Sequence, residues 1–363
     1  MPRARARASI LLALIAIAAV VVVARPADAT VALRQRFFGH ENVDASTGAV
    51  RADRVILSWF GVTNFAAAIG GNVVLLDAWV PRGEYSGYVP TSPGELAALE
   101  PSHILLGHGH FDHAADAAEI AALSGAIVVG TAQHCAQVVE QNAAALCQPV
   151  MGPEAARGSI VEVADLLPGV GITVLKHLHS AAEEPDTSDP HTPSAPPPDA
   201  GATVFHLPAP QDTMHLATHL GDAEGDSLLW QFRVGAFSLT WHDSSGPLKE
   251  NNPEILETLA DRLVFGATDV ELGAIMGFNQ ITNGMRDPRM YTEAIAPKLF
   301  VPQHHDNWAP GLSTRGENYE AIVRAEYDKI PADRRPLIRW ISDPQDYVRP
   351  SVLTFDPGAP YWE

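Results

Sequence analysis

From Val55 onward the chain alternates short apolar runs with stretches of helical periodicity. The runs VILSWF, NVVLLDAW, HILLG, AIVVG, SIVEV and GITVLKHL read as strands, and several are apolar at consecutive positions, as strands covered on both faces are. The helix starts between them carry their own signals. Ser92-Pro93-Gly94-Glu95 combines an N-cap, a first-turn proline and a capping-box Glu, and Asn252-Pro253 and Asp287-Pro288 repeat the cap-then-proline pattern.

A break follows Ser180, where AAEEPDTSDPHTPSAPPPDAG holds almost no large apolar side chain. At about 181–201 this composition predicts a flexible, Pro-rich insertion inside the domain, of a length usual for lids or linkers. Structure resumes with ATVFHLP, and SLLWQFRV, Gly235 and AFSLTWH read as two strands joined by a tight turn. VELGAIMG, KLFVPQ, a helix over 317–329 and LIRWI follow. The second half thus repeats the texture of the first, which predicts two similar sheets packed face to face with helices outside, an α/β (α+β) architecture.

Composition narrows the setting. The 363 residues are 46% hydrophobic and only 18% charged, enough for a sizeable core in one domain or two. Arg3, Arg5 and Arg7, an apolar run over 10–23 and the small-X-small triplet Ala27-Asp28-Ala29 have the form of a secretory signal peptide over 1–29. Its apolar run is short of the roughly 20 residues that span a bilayer, so cleavage after Ala29 is expected, giving an exported (periplasmic or extracellular) chain over 30–363 with no stable membrane insertion. Removing those residues takes away four Arg and one Asp and leaves 20 basic against 42 acidic side chains, a net charge of −22. Nucleic acid is therefore not an expected partner, since its phosphates need neutralising by Lys and Arg. Export permits a bond between Cys135 and Cys147, the two cysteines of the chain. Geometry weighs against it: if AQVVEQNAAAL is one helix, their Cα atoms lie roughly 18 Å apart.

The chemistry concentrates in ILLGHGHFDHAADAAEIAAL. A buried-type strand ends at Gly107, a short loop presents His108, His110, Asp112 and His113, and an Ala-rich helix begins at once. His108 and His110, two apart in an extended turn, can converge on one cation while Asp112 and His113 are thrown toward a second position. Imidazole and carboxylate together suit zinc, with manganese or iron next. A lone histidine would read as an ordinary core residue; four ligand types at a strand-to-helix junction do not.

HGHFDH resembles the H-X-H-X-D-H motif of the metallo-β-lactamase superfamily, and the remaining motifs of that superfamily occur in order. Asp77 ends NVVLLD where the family has an acidic residue supporting the site. VLKHLHS offers His179, FSLTWHDSSG offers Asp243 and LFVPQHHDN offers His304. The resemblance is strongest to lactonase-like and phosphodiesterase-like branches with a Pro-X-His ending. It implies a four-layer αββα sandwich with the site at one edge of the sheets. It also implies two divalent metal ions, one held by His108, His110 and His179, the other by Asp112, His113 and His304, with Asp243 shared. The implied reaction is attack by a metal-bridged hydroxide on an ester-like bond, a lactone or a phosphodiester, of a small-molecule substrate. Asp112 and Asp243 would hold the ions and carry the released proton. The alternative is a protein that keeps the fold for metal binding or interaction without turnover, or an iron-dependent redox member.

Some positions stay open. His177 lies on the same strand face as His179 and competes with it, although His-Ser at the strand end matches the family form, and His305 competes with His304. His242-Asp243-Ser244 stands where many members have Gly-Asp-Thr. His215 and His219 share a helix face without the glutamate of a metalloprotease motif, so a polar helix edge is the first reading and substrate contact the second. His40 and His103 read as structural, and Trp59, Phe60 and Asn64 as candidate pocket lining. Ser244 and Ser245 lack a nucleophile elbow.

Overall fold

The computed structural model describes residues 26–80, 89–191, 209–262, 264–306 and 314–359. The apolar run of the leader and residues 192–208, including all of ATVFHLP, lie outside them; the helix Pro26–Phe38 begins just ahead of Ala29. No described helix is long and apolar enough to cross a membrane.

The strands are β1 (Val55–Trp59), β2 (Phe65–Ile69), β3 (Asn72–Leu76), β4 (His103–Leu105), β5 (Ile127–Thr131), β6 (Leu146–Met151), β7 (Ile160–Glu162), β8 (Gly171–His177), β9 (Ser227–Val234), β10 (Phe237–His242), β11 (Val270–Ala274), β12 (Leu299–Gln303), β13 (Leu337–Ile338) and β14 (Thr354–Phe355). They form two sheets, ordered β14-β1-β2-β3-β4-β5-β6 and β13-β12-β11-β10-β9-β8-β7. Each sheet is antiparallel over β1 to β3 and β7 to β10 and parallel over β3 to β6 and β10 to β13.

The period-two alternation of strands explains the layers. Leu57, Trp59, Ala67, Val74 and Leu76 of one sheet meet Val174, Trp230, Phe232, Trp241, Leu272 and Val301 of the other in a central core. The alternate positions Ile56, Ala66, Ala68, Leu75 and Ile104 face outward onto Leu96, Ile120 and Val138 of the covering helices. On the second sheet Leu175 and Leu229 meet Ile255 and Leu259, while Phe300 meets Tyr319, Val323 and Tyr327. Helix, sheet, sheet, helix is the four-layer αββα sandwich of the metallo-β-lactamase fold. The parity also explains why the runs are apolar throughout: both faces of most strands are covered.

Ser92 caps its helix by accepting from Glu95 N at 3.2 Å. Asn252 makes no side-chain cap, and Asp287 is not a cap at all: its helix begins at Arg286, and Asp287 is buried against that guanidinium at 2.8 Å. The helix at the C-terminal side covers Glu317–Tyr327. The stretch FAAAI, rich in helix-forming alanine, is β2, because β1 and β3 pair with it on both sides and override local preference.

Cys135 and Cys147 are joined, with Cα atoms 5.3 Å apart, against the expectation from one continuous helix. The helix Ala132–Gln141 stops at Asn142, and the chain turns back as β6 beside β5, bringing Cys147 next to Cys135. Pro149 sits in β6, an edge strand, where a missing N–H is tolerated. The first leg of the expected flexible insertion is fastened down: Asp186 pairs with Arg286 at 2.8 Å and Asp189 with Arg289 at 2.5 Å. Replacing both cysteines with Ser is expected to lower unfolding stability by about 2–4 kcal/mol. Chemical denaturation measures this, and an unchanged midpoint would contradict the bond.

Candidate metal centre

Parallel strands deliver their C-terminal ends to one edge of a sandwich, and this edge collects the candidate ligands. Asp77 follows β3, the segment 108–113 follows β4, His179 follows β8, Asp243 follows β10 and His304 follows β12. β8 and β10 both run antiparallel to β9 between them, so their ends emerge together. Two bonds lock the sheets here: Leu228 N donates to Gly107 O at 2.8 Å and the Trp230 indole to Leu106 O at 3.0 Å.

All seven residues picked out as metal ligands come together. Their ligand atoms form three overlapping groups, each within 4.8 Å: His108, His110 and His179; Asp112, His113 and His304; and His108, His113 and Asp243. The third group takes one imidazole from each of the others, so Asp243 stands between them. His108 Nδ1 lies 2.7 Å from Asp243 Oδ2. A carboxylate only accepts, so Nδ1 carries the proton and Nε2 presents its lone pair toward His110 Nδ1, 3.1 Å away. His113 Nε2 faces His304 Nε2 at 3.2 Å. Asp112 Oδ2 lies 3.4 Å from the first of those nitrogens and 3.3 Å from the second.

These separations fit a cation. Nitrogens bound at about 2.0–2.1 Å in a tetrahedron stand roughly 3.3 Å apart. The Asp243 carboxylate is fully buried, yet its Oδ1 has no hydrogen-bond partner, a costly state for an anion that a bound cation relieves. Gly107 makes the approach feasible, since a Cβ there would lie 2.1 Å from the Asp243 carboxyl carbon.

Charge settles the ligand states. Burial, then the surrounding imidazoles, hold His108 well below its ordinary pKa, and burial and His110 bring His179 down to about 4, so both are neutral donors near pH 7. Burial alone would lower His113, but Asp112, Asp243 and Asp77 raise it well above the ordinary value. Burial would raise Asp112, and His113 and His304 outweigh it, leaving the carboxylate ionised. Asp77 supports the site from behind: Oδ2 lies 2.8 Å from His113 Nδ1 and accepts from Thr63 Oγ1 at 2.6 Å, while Oδ1 accepts from Gly107 N at 3.0 Å. Burial and then Asp243 push Asp77 up to about 7, and His113 and Thr63 oppose that by favouring its anion.

The open positions resolve geometrically. β8 ends at His177, whose Nδ1 lies 2.9 Å from the Tyr291 hydroxyl, on the helix side of the sheet. His179 is beyond the strand end and turns into the site, its ring 4.6 Å from those of His108 and His110. The two histidines therefore do not share a face. His305 is buried against Trp340, with Nε2 3.1 Å from Pro302 O, away from the cluster. His215 pairs with Asp116 at 3.2 Å and His219 with Asp222 at 2.8 Å, and neither lines the pocket. His40 is exposed and His103 contacts Ser102 Oγ at 3.0 Å. Trp59, Phe60 and Asn64 are buried and do not line the pocket, contrary to expectation. Ser244 accepts from Ser180 N at 2.9 Å and Ser245 donates to Ala274 O at 2.7 Å, so neither is poised as a nucleophile.

The cluster floors a cavity of about 270 Å³. Its walls include Phe111, Leu220, Met276 and Phe278, which sequence patterning did not single out because they lie on loops or a helix end. Leu220 and Phe278 stand mostly exposed at the mouth.

No protein-family model matches the chain. A UPF0173 metal-dependent hydrolase of Pyrobaculum calidifontis is 33% identical over 274 residues, 74% of this chain and 92% of its own length. The protein of the same name from Pyrobaculum arsenaticum is 30% identical over 274 residues, with the same two coverages, 74% and 92%. Among solved structures, Igni18, a metallo hydrolase from Ignicoccus hospitalis, superposes with a TM-score of 0.49 at 14% identity, over 80% of this chain and 95% of that one.

Gly107→Ala is expected to displace Asp243 and weaken metal binding by about 10–100-fold, read by competition with a chromogenic chelator. Wild-type affinity would contradict the close approach. Burial brings His177 and His305 each down to about 3. Both rings are expected to stay neutral from pH 8 to pH 5 in heteronuclear NMR, and a midpoint near 6.5 would contradict their placement.

Proposed function

The chain belongs to the UPF0173 metal-dependent hydrolase family, and on that premise we propose that it hydrolyses an ester-like bond, a lactone or a phosphodiester, in a small molecule with an apolar portion. The observation that carries the reading is the sharing of His108 and His113 between three ligand groups, around a buried Asp243 with an unpartnered oxygen. It supports two divalent cations, zinc by the imidazole and carboxylate donor set. His108, His110 and His179 would hold one, Asp112, His113 and His304 the other, and Asp243 both.

When bound, such cations lower the pKa of water toward neutrality and draw electron density from a carbonyl or phosphoryl oxygen. The chain's residues supply the rest. Neutral His108 and His179 keep their lone pairs available at pH 7. Asp112 holds acceptor oxygens at the pocket floor, with Asp243 buried behind the floor against His108 and His113, and the two carboxylates would hold the ions and take up the proton released when water attacks. Phe111, Met276, Phe278 and Leu220 give the substrate's apolar part a dry wall, and excluding water there strengthens every charge interaction below. Export fits the Cys135–Cys147 bond, which oxidising compartments favour, and the leader over 1–29.

A metal-supplemented screen over lactones, phosphodiesters and β-lactams, with elemental analysis, tests this reading. We expect close to two zinc or manganese per chain and turnover of a lactone or phosphodiester. Asp112→Ala and His110→Ala should each lower that rate by about 10²–10⁴-fold. Near-normal rates in either variant, or turnover confined to β-lactams, would contradict the proposal.

A further inference from the structure

The loop 61–64 between β1 and β2 contributes no ligand and lines no part of the pocket, yet Val62, Thr63 and Asn64 are all fully buried. Each makes one bond toward the metal centre. Thr63 Oγ1 lies 2.8 Å from His113 Nδ1. The Asn64 amide donates to Asp112 O at 3.1 Å. Val62 O accepts from His304 N at 3.1 Å. The three residues so reached are one of the three ligand groups, complete.

We propose that this loop is the positioning element for the Asp112, His113 and His304 half of the metal centre, and for that half alone. The inference rests on the two-cation reading of the site. Among the described residues no hydrogen bond from the loop reaches His108, His110 or His179. That half has a separate support: Gly109 N donates to Glu224 O at 2.6 Å and Gln137 Nε2 to Gly109 O at 2.7 Å.

Each contact fixes something a ligand needs. The Asp77 carboxylate, as the anion, can only accept, so the Thr63 hydroxyl commits its hydrogen to Asp77 Oδ2 and offers His113 a lone pair. His113 Nδ1 therefore carries a proton, and in the neutral ring that a cation would need, the lone pair is fixed at Nε2, which faces Asp112 and His304. Asn64 is spent on both ends, its carbonyl accepting from Trp79 N at 2.8 Å, so the amide holding Asp112 cannot turn away. Val62 and His304 both have left-handed backbones, φ +52° and +61°, which cost β-branched and bulky residues energy and persist only where surrounding bonds impose them. Here Val62 N donates to Asp306 Oδ1 at 2.8 Å, Asp306 also accepts from the Tyr347 hydroxyl, and the Trp59 indole donates to Val62 O at 3.0 Å. His304 is thus held through a chain of bonds that ends in the sheet.

The test titrates metal-free wild type, Thr63→Val and Thr63→Ser with Zn²⁺ by calorimetry, with ring NMR of His113 and melting of the metal-free proteins alongside. Thr63→Val, close in shape but without the hydroxyl, is expected to weaken one of two sites by about 10–100-fold, leave the other unchanged and blur the His113 tautomer, while Thr63→Ser keeps both sites. Equal weakening of both sites, no weakening, or a Thr63→Ser as impaired as Thr63→Val would overturn the proposal while leaving the two-cation reading intact. Unfolding of metal-free Thr63→Val would overturn it too, by making the hydroxyl a requirement of the fold. Wild type that binds fewer than two cations would instead remove the reading on which the proposal stands.

Discussion

Carboxylates cannot crowd a water-poor site unless positive charge or N–H donors lie among them, and this constraint organises the molecule. Asp77, Asp112 and Asp243 are buried within bonding distance of the same imidazoles. Asp77 is satisfied by Thr63, Gly107 and His113, whereas Asp243 keeps an oxygen with no partner. The features that look expensive elsewhere serve this cluster: a side-chain-free position at Gly107, and left-handed backbones at Asp77 and His304 where strands end. Strain at such positions is retained because packing between two complete sheets fixes the strand ends that carry it.

Two environments meet at this site. Below are acceptors and lone pairs; above is a wall of Phe111, Leu220, Met276 and Phe278. On the proposed reading, this wall would shield the floor from water once a substrate's apolar part covers it. An acidic chain, formally −19 before any processing, adds a weak general attraction for cations. The apolar mouth is formed by exposed side chains on a helix end and a loop, the parts of this fold least tied to its core.

Much of this was legible in the chain because the ligands are local or punctuated. HGHFDH places four of them in one turn, and the resemblance to the metallo-β-lactamase motif order pointed to His179, Asp243 and His304. Period-two reasoning failed at His177 and His179, since the strand ends between them and the face reverses. The disulfide was hidden because nothing in AQVVEQNAAAL announces that the helix stops at Asn142. The loop 61–64 was illegible for another reason: Val, Thr and Asn between two strands carry no chemical signature until the fold sets ligand atoms against them. Gly107 reads only as the end of a buried strand, and only the approach of Asp243 from the other sheet reveals what a side chain there would strike.

The central claim is that two cations share one carboxylate at this edge of the sandwich. Anomalous X-ray diffraction at the zinc edge, from crystals grown with Zn²⁺, tests it most directly. The account predicts two peaks in the cavity floor, one against His108, His110 and His179 and one against Asp112, His113 and His304, with Asp243 touching both. A single peak, or peaks bound by other side chains while these imidazoles point apart, would contradict it.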